Sequence, residues 1–391
     1  MTERRALLIL VAGEPAVFSE QSRTEGEHRT LAHPPGAALL GWAARDYDYW
    51  LGRGRAEAVF HSGKVRFSDA LPLSGDDAPA YPIPQLLMEP KHRSSRDDRL
   101  GEDVRVGRAP DDNGEIQYEA LKPAFVTRAG CLVKPDRGGR LRTATRGGRA
   151  ERGKLFGFQH LEPESRRWAA TIEANDGVFE DDEWRRLRAL FDGRTLHIGR
   201  GGNTAYGGGY NCVVRDNGGG DLWPVGSVAD GAERVRVWAL SDLALVDNWG
   251  APAMAPSAEA LGLGAGWRLR VQDSVVSLRR YAPWNRALRG RDVERQAVAA
   301  GSVFTFERVD NVAQTKPCGL VGFAREAGLG RVWIAPPLLE VPSGAHWGVS
   351  AESVIFAPEK ASSPPIASTA APGWLAALRK LNSPEIKGAK S

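Results

Sequence analysis

Ile198-Gly199-Arg200-Gly201-Gly202-Asn203-Thr204-Ala205-Tyr206-Gly207-Gly208-Gly209 is the stretch that decides how this chain is read. Six of its twelve residues are glycine. Thr195–Ile198 before it and Tyr210–Val214 after it read as short strands. A glycine-rich loop between strands lets backbone N–H groups approach a phosphate, because no Cβ stands in the way. Gly199, Gly201, Gly202 and Gly207 are the candidate approach points. Arg200 adds a fixed positive charge, and the Tyr206 ring offers a surface on which a base can stack. The same composition also suits a flexible hairpin loop without a ligand.

A second stretch of this kind runs from Gly319 to Ile334 and holds Gly328, Gly330 and Arg331 just before an apolar, strand-like run. Two Gly/Arg loops, each beside a strand, imply two related domains. Neither is a dinucleotide fingerprint: no helical pattern follows the glycines, and no Gly-Lys-Ser/Thr element is present.

Composition bounds the rest. A chain of 391 residues has room for about two or three domains. Hydrophobic residues make up 42%, enough for real cores. Lys plus Arg is 52 against 48 Asp plus Glu, a net charge of only +4, so local charge must carry any nucleic-acid argument. Cys131, Cys212 and Cys318 lie far apart, which gives neither a metal spacing nor a disulfide framework and fits a reducing cytoplasm. The apolar run in Met1–Val11 is too short for a signal peptide or a membrane span and reads as a buried first strand. The expectation is a cytoplasmic protein with no membrane partner and no cofactor.

In chain order, Pro34–Ala44 reads as a first helix, with proline where a missing N–H costs little. In Gly63–Leu73, Val65 and Phe67 alternate with Lys64, Arg66 and Ser68, as in a strand with one polar face. Residues 91–117 read as a loop. Residues 134–154 hold eight basic residues, Lys134, Arg137, Arg140, Arg142, Arg146, Arg149, Arg152 and Lys154, opposed only by Asp136 and Glu151. That density suits an arm that tracks a phosphate backbone; a solvated hairpin tip is the alternative. Leu155–Phe158 resumes strand character, and Trp184–Phe191 reads as a helix with Asp181, Asp182 and Glu183 near its start.

Pro224–Gly231 reads as a domain boundary, followed by a fresh strand at Arg234–Leu240. Residues 247–266 are loop-like, and Val275–Tyr281 and Gly301–Arg308 are further strands. Between them Arg279, Arg280, Tyr281, Trp284, Arg286, Arg289, Arg291 and Arg295 mix arginine with aromatics, which suits single-stranded RNA and equally a protein interface. Residues 357–373 form a Pro/Ser/Ala linker, and Trp374–Leu381 reads as a short amphipathic helix.

Five stretches in order resemble the RAMP superfamily of CRISPR-associated proteins, and most of all subunits of type III effector complexes, subtype III-D in particular: His33–Gly41, Gly63–Ala70, Arg142–Phe156, Ile198–Tyr206 and Gly328–Trp333. The first resembles the family's Pro-Gly-Ser-x-Leu-x-Gly helix start, the third its β-hairpin thumb, the fourth its Ile-Gly loop and the fifth its C-terminal glycine-rich loop. The likeness covers residues 1 to about 340. One departure is Leu40, where the family usually carries arginine; Arg45 is the nearby substitute.

The resemblance implies an α+β fold of two ferredoxin-like (RRM-like) domains, over 1–228 with a basic thumb near 134–158 and over 229–345, followed by a tail over 346–391. It implies a structural subunit, without cofactor, that binds the 5′ handle of a guide RNA (crRNA) beside other type III subunits. The RNA-binding set is then Lys64, Arg66, Arg142, Arg146, Arg149, Lys154, Gly199, Arg200, Gly201, Gly202, Tyr206, Gly207, Gly328, Gly330 and Arg331. Relatives that cut RNA commonly use histidine, for which His28 and His33 are the candidates, or a loop aspartate, for which Asp69 or Asp46 would serve. A protein-interaction subunit without RNA contact is the third reading. No metal cluster or nucleophile–base spacing stands out.

Overall fold

Strand β1 (Arg4–Ala12) is the first strand expected from the apolar run. It buries both faces: Ala6, Leu8 and Leu10 are fully buried on one, and Leu7 and Ile9 pack into a second core on the other. The computed structural model describes residues 3–20, 27–91, 99–101, 103–107, 117–121, 125–146, 149–163, 166–201, 207–216, 222–285, 290–310 and 316–340, with the backbone alone for 27, 142–146, 149–156, 216, 284 and 285. All of them belong to the unit Met1–Ile355; the unit Phe356–Ser391, with the expected linker and Trp374–Leu381 helix, lies outside the described residues.

After β1 come α1 (Gly36–Ala43), β2 (Val65–Phe67), β3 (Arg167–Ala174), α2 (Asp181–Ala189), β4 (Arg194–Gly199) and β5 (Gly207–Asp216). The sheet runs β4-β5-β1-β3-β2, all antiparallel, with Leu71–Pro72 also paired to β3. The helix α1 starts after Pro34-Pro35, and Leu39 and Ala43 enter the core. The helix α2 begins earlier than the apolar pattern suggests. Its first turn holds Asp181, Asp182 and Glu183, and the Glu180 N–H donates to Glu183 Oε2 at 3.0 Å, so the cap and the dipole set the start. Trp184 and Leu187 bury its apolar side with Trp50, Phe67 and Phe191.

The second half builds a smaller sheet from β6 (Arg234–Ala239), β7 (Trp267–Leu269), β8 (Val303–Arg308) and β9 (Val332–Ile334), in the order β7-β8-β6-β9. Numbered in chain order, these four lie fourth–first–third–second. So do β1, β2, β3 and β5 of the first sheet. The halves share one strand order, although α-helices connect strands only in the first half among the described residues. The two sheets share a core in which Trp238 and Trp333 stack at 5.8 Å, with Tyr81 edge-on to both. The polar ends of two of these rings are satisfied: Tyr81 OH donates to the Leu222 carbonyl at 3.0 Å and Trp238 Nε1 to the Pro82 carbonyl at 3.1 Å.

The basic arm is a long antiparallel hairpin, Arg137–Arg146 with Arg149–Leu161. Within 91–117, read as a loop, Arg105–Val106 forms a short strand against Leu87–Met88. The whole is α+β, mostly sheet with few helices. Among the described residues no helix is long and apolar enough to cross a membrane.

Candidate nucleic-acid interface

The glycine-rich stretch is shorter as a loop than its sequence suggests. Gly207 already belongs to β5 and pairs with Gly199, the last residue of β4. Gly208 and Gly209 continue that strand. A Cβ at Gly208 would come within 2.8 Å of Ala16 Cβ, so glycine here serves close packing rather than phosphate approach. The left-handed positions are Gly199, at φ +104°, and Gly201, at φ +82°, where a side chain would strain the turn. Gly202 and Tyr206 lie outside the described residues.

Arg200 is the loop residue with the most defined setting. Its backbone N–H donates to the Val17 carbonyl at 2.8 Å. Its Nη1 lies 3.3 Å from His28 Nδ1, and its guanidinium sits 5.3 Å from the centre of the Phe158 ring. His28 stacks on Phe158 at 4.7 Å with the planes 7° apart, and only 5% of it is exposed. Backbone pairing sets this up: Glu27–His28 runs parallel to Gly157–Phe158 at the root of the hairpin. Burial, then the charges of Arg200 and Arg291, push the His28 pKa below its ordinary value. The ring is therefore neutral at pH 7, and its Nδ1 accepts from Arg200. Arg200, Phe158 and the hairpin root converge on one point.

Along the hairpin, Arg140 pairs with Phe158, Arg142 with Phe156 and Arg146 with Arg149, with an irregularity between Thr143 and Thr145. Arg142, Arg146, Arg149 and Lys154 all fall in its two strands; their side chains lie outside the described part. Lys64 is exposed just before β2.

Several candidates do structural work instead. Arg66 and Arg331 are 6% and 8% exposed. Arg66 pairs with Glu3, donates from Nη1 to Asn175 Oδ1 at 2.6 Å and lies 3.5 Å from Glu173. Arg331 donates to Glu173 Oε2 at 2.6 Å. Both guanidinium groups are buried on a carboxylate, which removes them from a solvent-facing RNA set. Burial would raise the pKa of Glu173, but Arg331, Arg5 and Arg66 hold it below its ordinary value. Gly328 and Gly330 adopt φ of +94° and +97°. A Cβ on Gly328 would lie 2.9 Å from the Phe67 carbonyl oxygen, and one on Gly330 would collide with that of Val321. The second glycine loop is thus a backbone-to-backbone contact rather than an open cradle.

Asp69 accepts the Gly36 N–H on Oδ1 at 2.7 Å and faces His33 Nε2 from Oδ2 at 3.4 Å, so this carboxylate caps the start of α1. Asp46 is bound by Arg186 through both oxygens, at 2.7 and 3.0 Å. In the Arg/aromatic stretch of the second half, Arg279 pairs with Asp242 and donates to the Glu20 carbonyl, Arg295 pairs with Asp292, and Arg291 is exposed; 286–289 lie outside the described residues. Phe158 was not singled out from sequence as a site residue, and Arg291 only as part of the Arg/aromatic stretch. Phe158 was visible only as part of a strand, because what it stacks on is 130 residues away at His28, a separation no local pattern carries. Among the described residues no three His, Cys, Asp or Glu side chains gather to hold a metal ion.

No protein-family model matches the chain, and no curated protein matches it. Solved structures do. A chain of the type III-B Cmr-beta complex bound to cognate target RNA and AMPPnP is similar at 11% identity over 77% of this chain and 86% of that one, with a TM-score of 0.41. A chain of the Csm3–Csm4 subcomplex of the type III-A CRISPR-Cas interference complex is similar at 11% identity over 80% and 98%, with a TM-score of 0.38. Oligomeric Cmr4 from Pyrococcus furiosus is similar at 11% identity over 55% and 99%, with a TM-score of 0.25. These three solved chains come from type III CRISPR subunits and complexes.

Proposed function

We propose that this chain is a non-catalytic RNA-binding subunit of a type III CRISPR effector complex that holds the 5′ handle of a guide RNA. In this reading residues 1–228 and 229–345 are two ferredoxin-like domains, and the Arg137–Leu161 hairpin is the thumb of the first. The strand order common to both sheets supports the fold. The ordered sequence resemblance supports the partners.

The observation that carries the RNA role is the convergence of Arg200, His28 and Phe158 at the root of a hairpin rich in arginine. A guanidinium held between His28 and Phe158 at the root of an arginine-rich hairpin suits a phosphate and an unstacked base. The hydrogen bond that ties Asp69 to the Gly36 N–H gives that carboxylate a structural role, which favours binding over cleavage. The test is binding of a 5′-handle RNA to wild type and to Arg200→Ala, with the variant expected to bind more weakly. Equal binding by both removes Arg200 from the interface.

The His33–Asp69 pair favours a second reading, an endoribonuclease, because a histidine held by a carboxylate is a general acid–base arrangement. The subunit reading expects His33→Ala to leave precursor guide RNA processing intact. Loss of processing with RNA binding preserved selects the nuclease.

A further inference from the structure

A cleft of about 560 Å³ opens between the ends of α1 and α2 and the outer strand β4. Trp42, Arg45, Leu190, Arg194, Thr195 and His197 line it, and no carboxylate does. The indole is fixed: Trp42 Nε1 donates to the Leu190 carbonyl at 2.8 Å. The Arg45 guanidinium lies 4.3 Å from the centre of that ring. Arg45 and Arg194 are exposed, and neither has a carboxylate partner among the described residues. The neighbouring acid, Asp46, is already bound by Arg186.

The cleft is continuous with the site described above. Arg194 and Thr195 at the start of β4 form its wall, and the other end of the same strand leads through Gly199 into Arg200. At about 3.3 Å per residue the two ends lie roughly 17–20 Å apart. Among the described strands β4 is the edge of its sheet, paired with β5. Exposed arginines, an aromatic platform and a strand that links them to Arg200 suit a single nucleic-acid strand.

We propose that this cleft is a second seat for the same single-stranded RNA, with a base stacked against the Trp42–Arg45 pair and a phosphate on Arg194. The inference rests on the reading of Arg200 as an RNA contact: a strand leaving Arg200 follows β4 to the cleft. A protein docking there would meet two arginines with no carboxylate to order them, which favours the polyanion.

Two mixed-sequence single-stranded RNAs test it by fluorescence anisotropy, one just long enough for the Arg200 end and one long enough to run the length of β4. The variants are Arg45→Ala/Arg194→Ala, both exposed and so safe for folding, Trp42→Phe, which keeps a ring, and Arg200→Ala as a reference. The double variant is expected to bind the long RNA about tenfold more weakly and to lose about one unit of salt slope, with the short RNA unaffected. Trp42→Phe is expected to retain most of the long-RNA affinity. If the double variant matches wild type on the long RNA while Arg200→Ala weakens both, the cleft proposal is overturned and the Arg200 reading stands. Equal weakening on both RNAs overturns a separate seat. If wild type binds neither RNA, the Arg200 reading itself fails and the cleft with it.

Discussion

Arg331 Nη2 donates to Glu173 Oε2 at 2.6 Å, and this buried pair ties the start of β9 in the second sheet to β3 in the first. Arg66 and Arg5 approach the same carboxylate, which is only 2% exposed. Three guanidinium groups thus gather on one buried charge, two of them, Arg66 and Arg5, shared with Glu3. Glu173→Gln strips the buried Arg331 of its carboxylate and is expected to cost roughly 3–5 kcal/mol, read as a drop in denaturant midpoint. Because the folded pKa of Glu173 is depressed, its stabilisation is present above the ordinary glutamate range and is lost as pH falls below it. A Glu173→Gln protein as stable as wild type at pH 7 contradicts the account of this hub.

The start of α1 makes a separate prediction. A Cβ at Gly36 would collide with the Phe67 carbonyl and come within 2.9 Å of Gly328 Cα. Gly36→Ala is expected to cost roughly 2–3 kcal/mol. Asp69→Ala, which strips the acceptor from the Gly36 N–H, is expected to cost about 1–3 kcal/mol, and Asp69→Asn, which keeps an oxygen there, less. Thermal melts rank the three; an Asp69→Ala protein that melts like wild type removes the capping role.

These contacts show what the sequence carries and what it does not. The first strand, the first helix and the strands at Val65–Phe67, Arg234–Ala239 and Val303–Arg308 were legible because their apolar spacing or proline punctuation is local. The glycines were legible as special but ambiguous in cause: φ > 0 or close approach looks the same whether a phosphate or the Phe67 carbonyl stands opposite. Arg66 and Arg331 looked like surface cations because Glu173 is 107 and 158 residues away from them. Of the interface, Arg200 was legible, while its partners His28 and Phe158 are brought to it by strand pairing across the chain.

The hairpin supplies charge over length. Replacing Arg142, Arg146, Arg149 and Lys154 together with alanine is expected to flatten the salt dependence of guide-RNA binding by about three units, at roughly 0.7 per phosphate contact on a single strand. Stability is expected to change little. Titrations at several salt concentrations measure the slope, and an unchanged slope excludes the hairpin from the RNA path.

His28 predicts a pH effect. Its folded pKa lies below the unfolded value, so the unfolded chain takes up the proton first as pH falls. Stability is expected to decline as pH drops below about 6.5, and the decline is expected to shrink in His28→Gln, which does not titrate. Melting temperatures of both proteins across that range check it; parallel curves assign the pH dependence to other groups.

The central claim is that RNA is held where Arg200 meets the hairpin root. The most direct measurement is the affinity for a 5′-handle RNA of wild type, Arg200→Ala and Gly201→Val at several salt concentrations, with melting followed in parallel. The account predicts folded variants in which Arg200→Ala loses affinity and about one phosphate's worth of salt slope, while Gly201→Val, at φ +82°, loses affinity by blocking and straining the turn. Two folded variants that bind the handle as wild type does would contradict it.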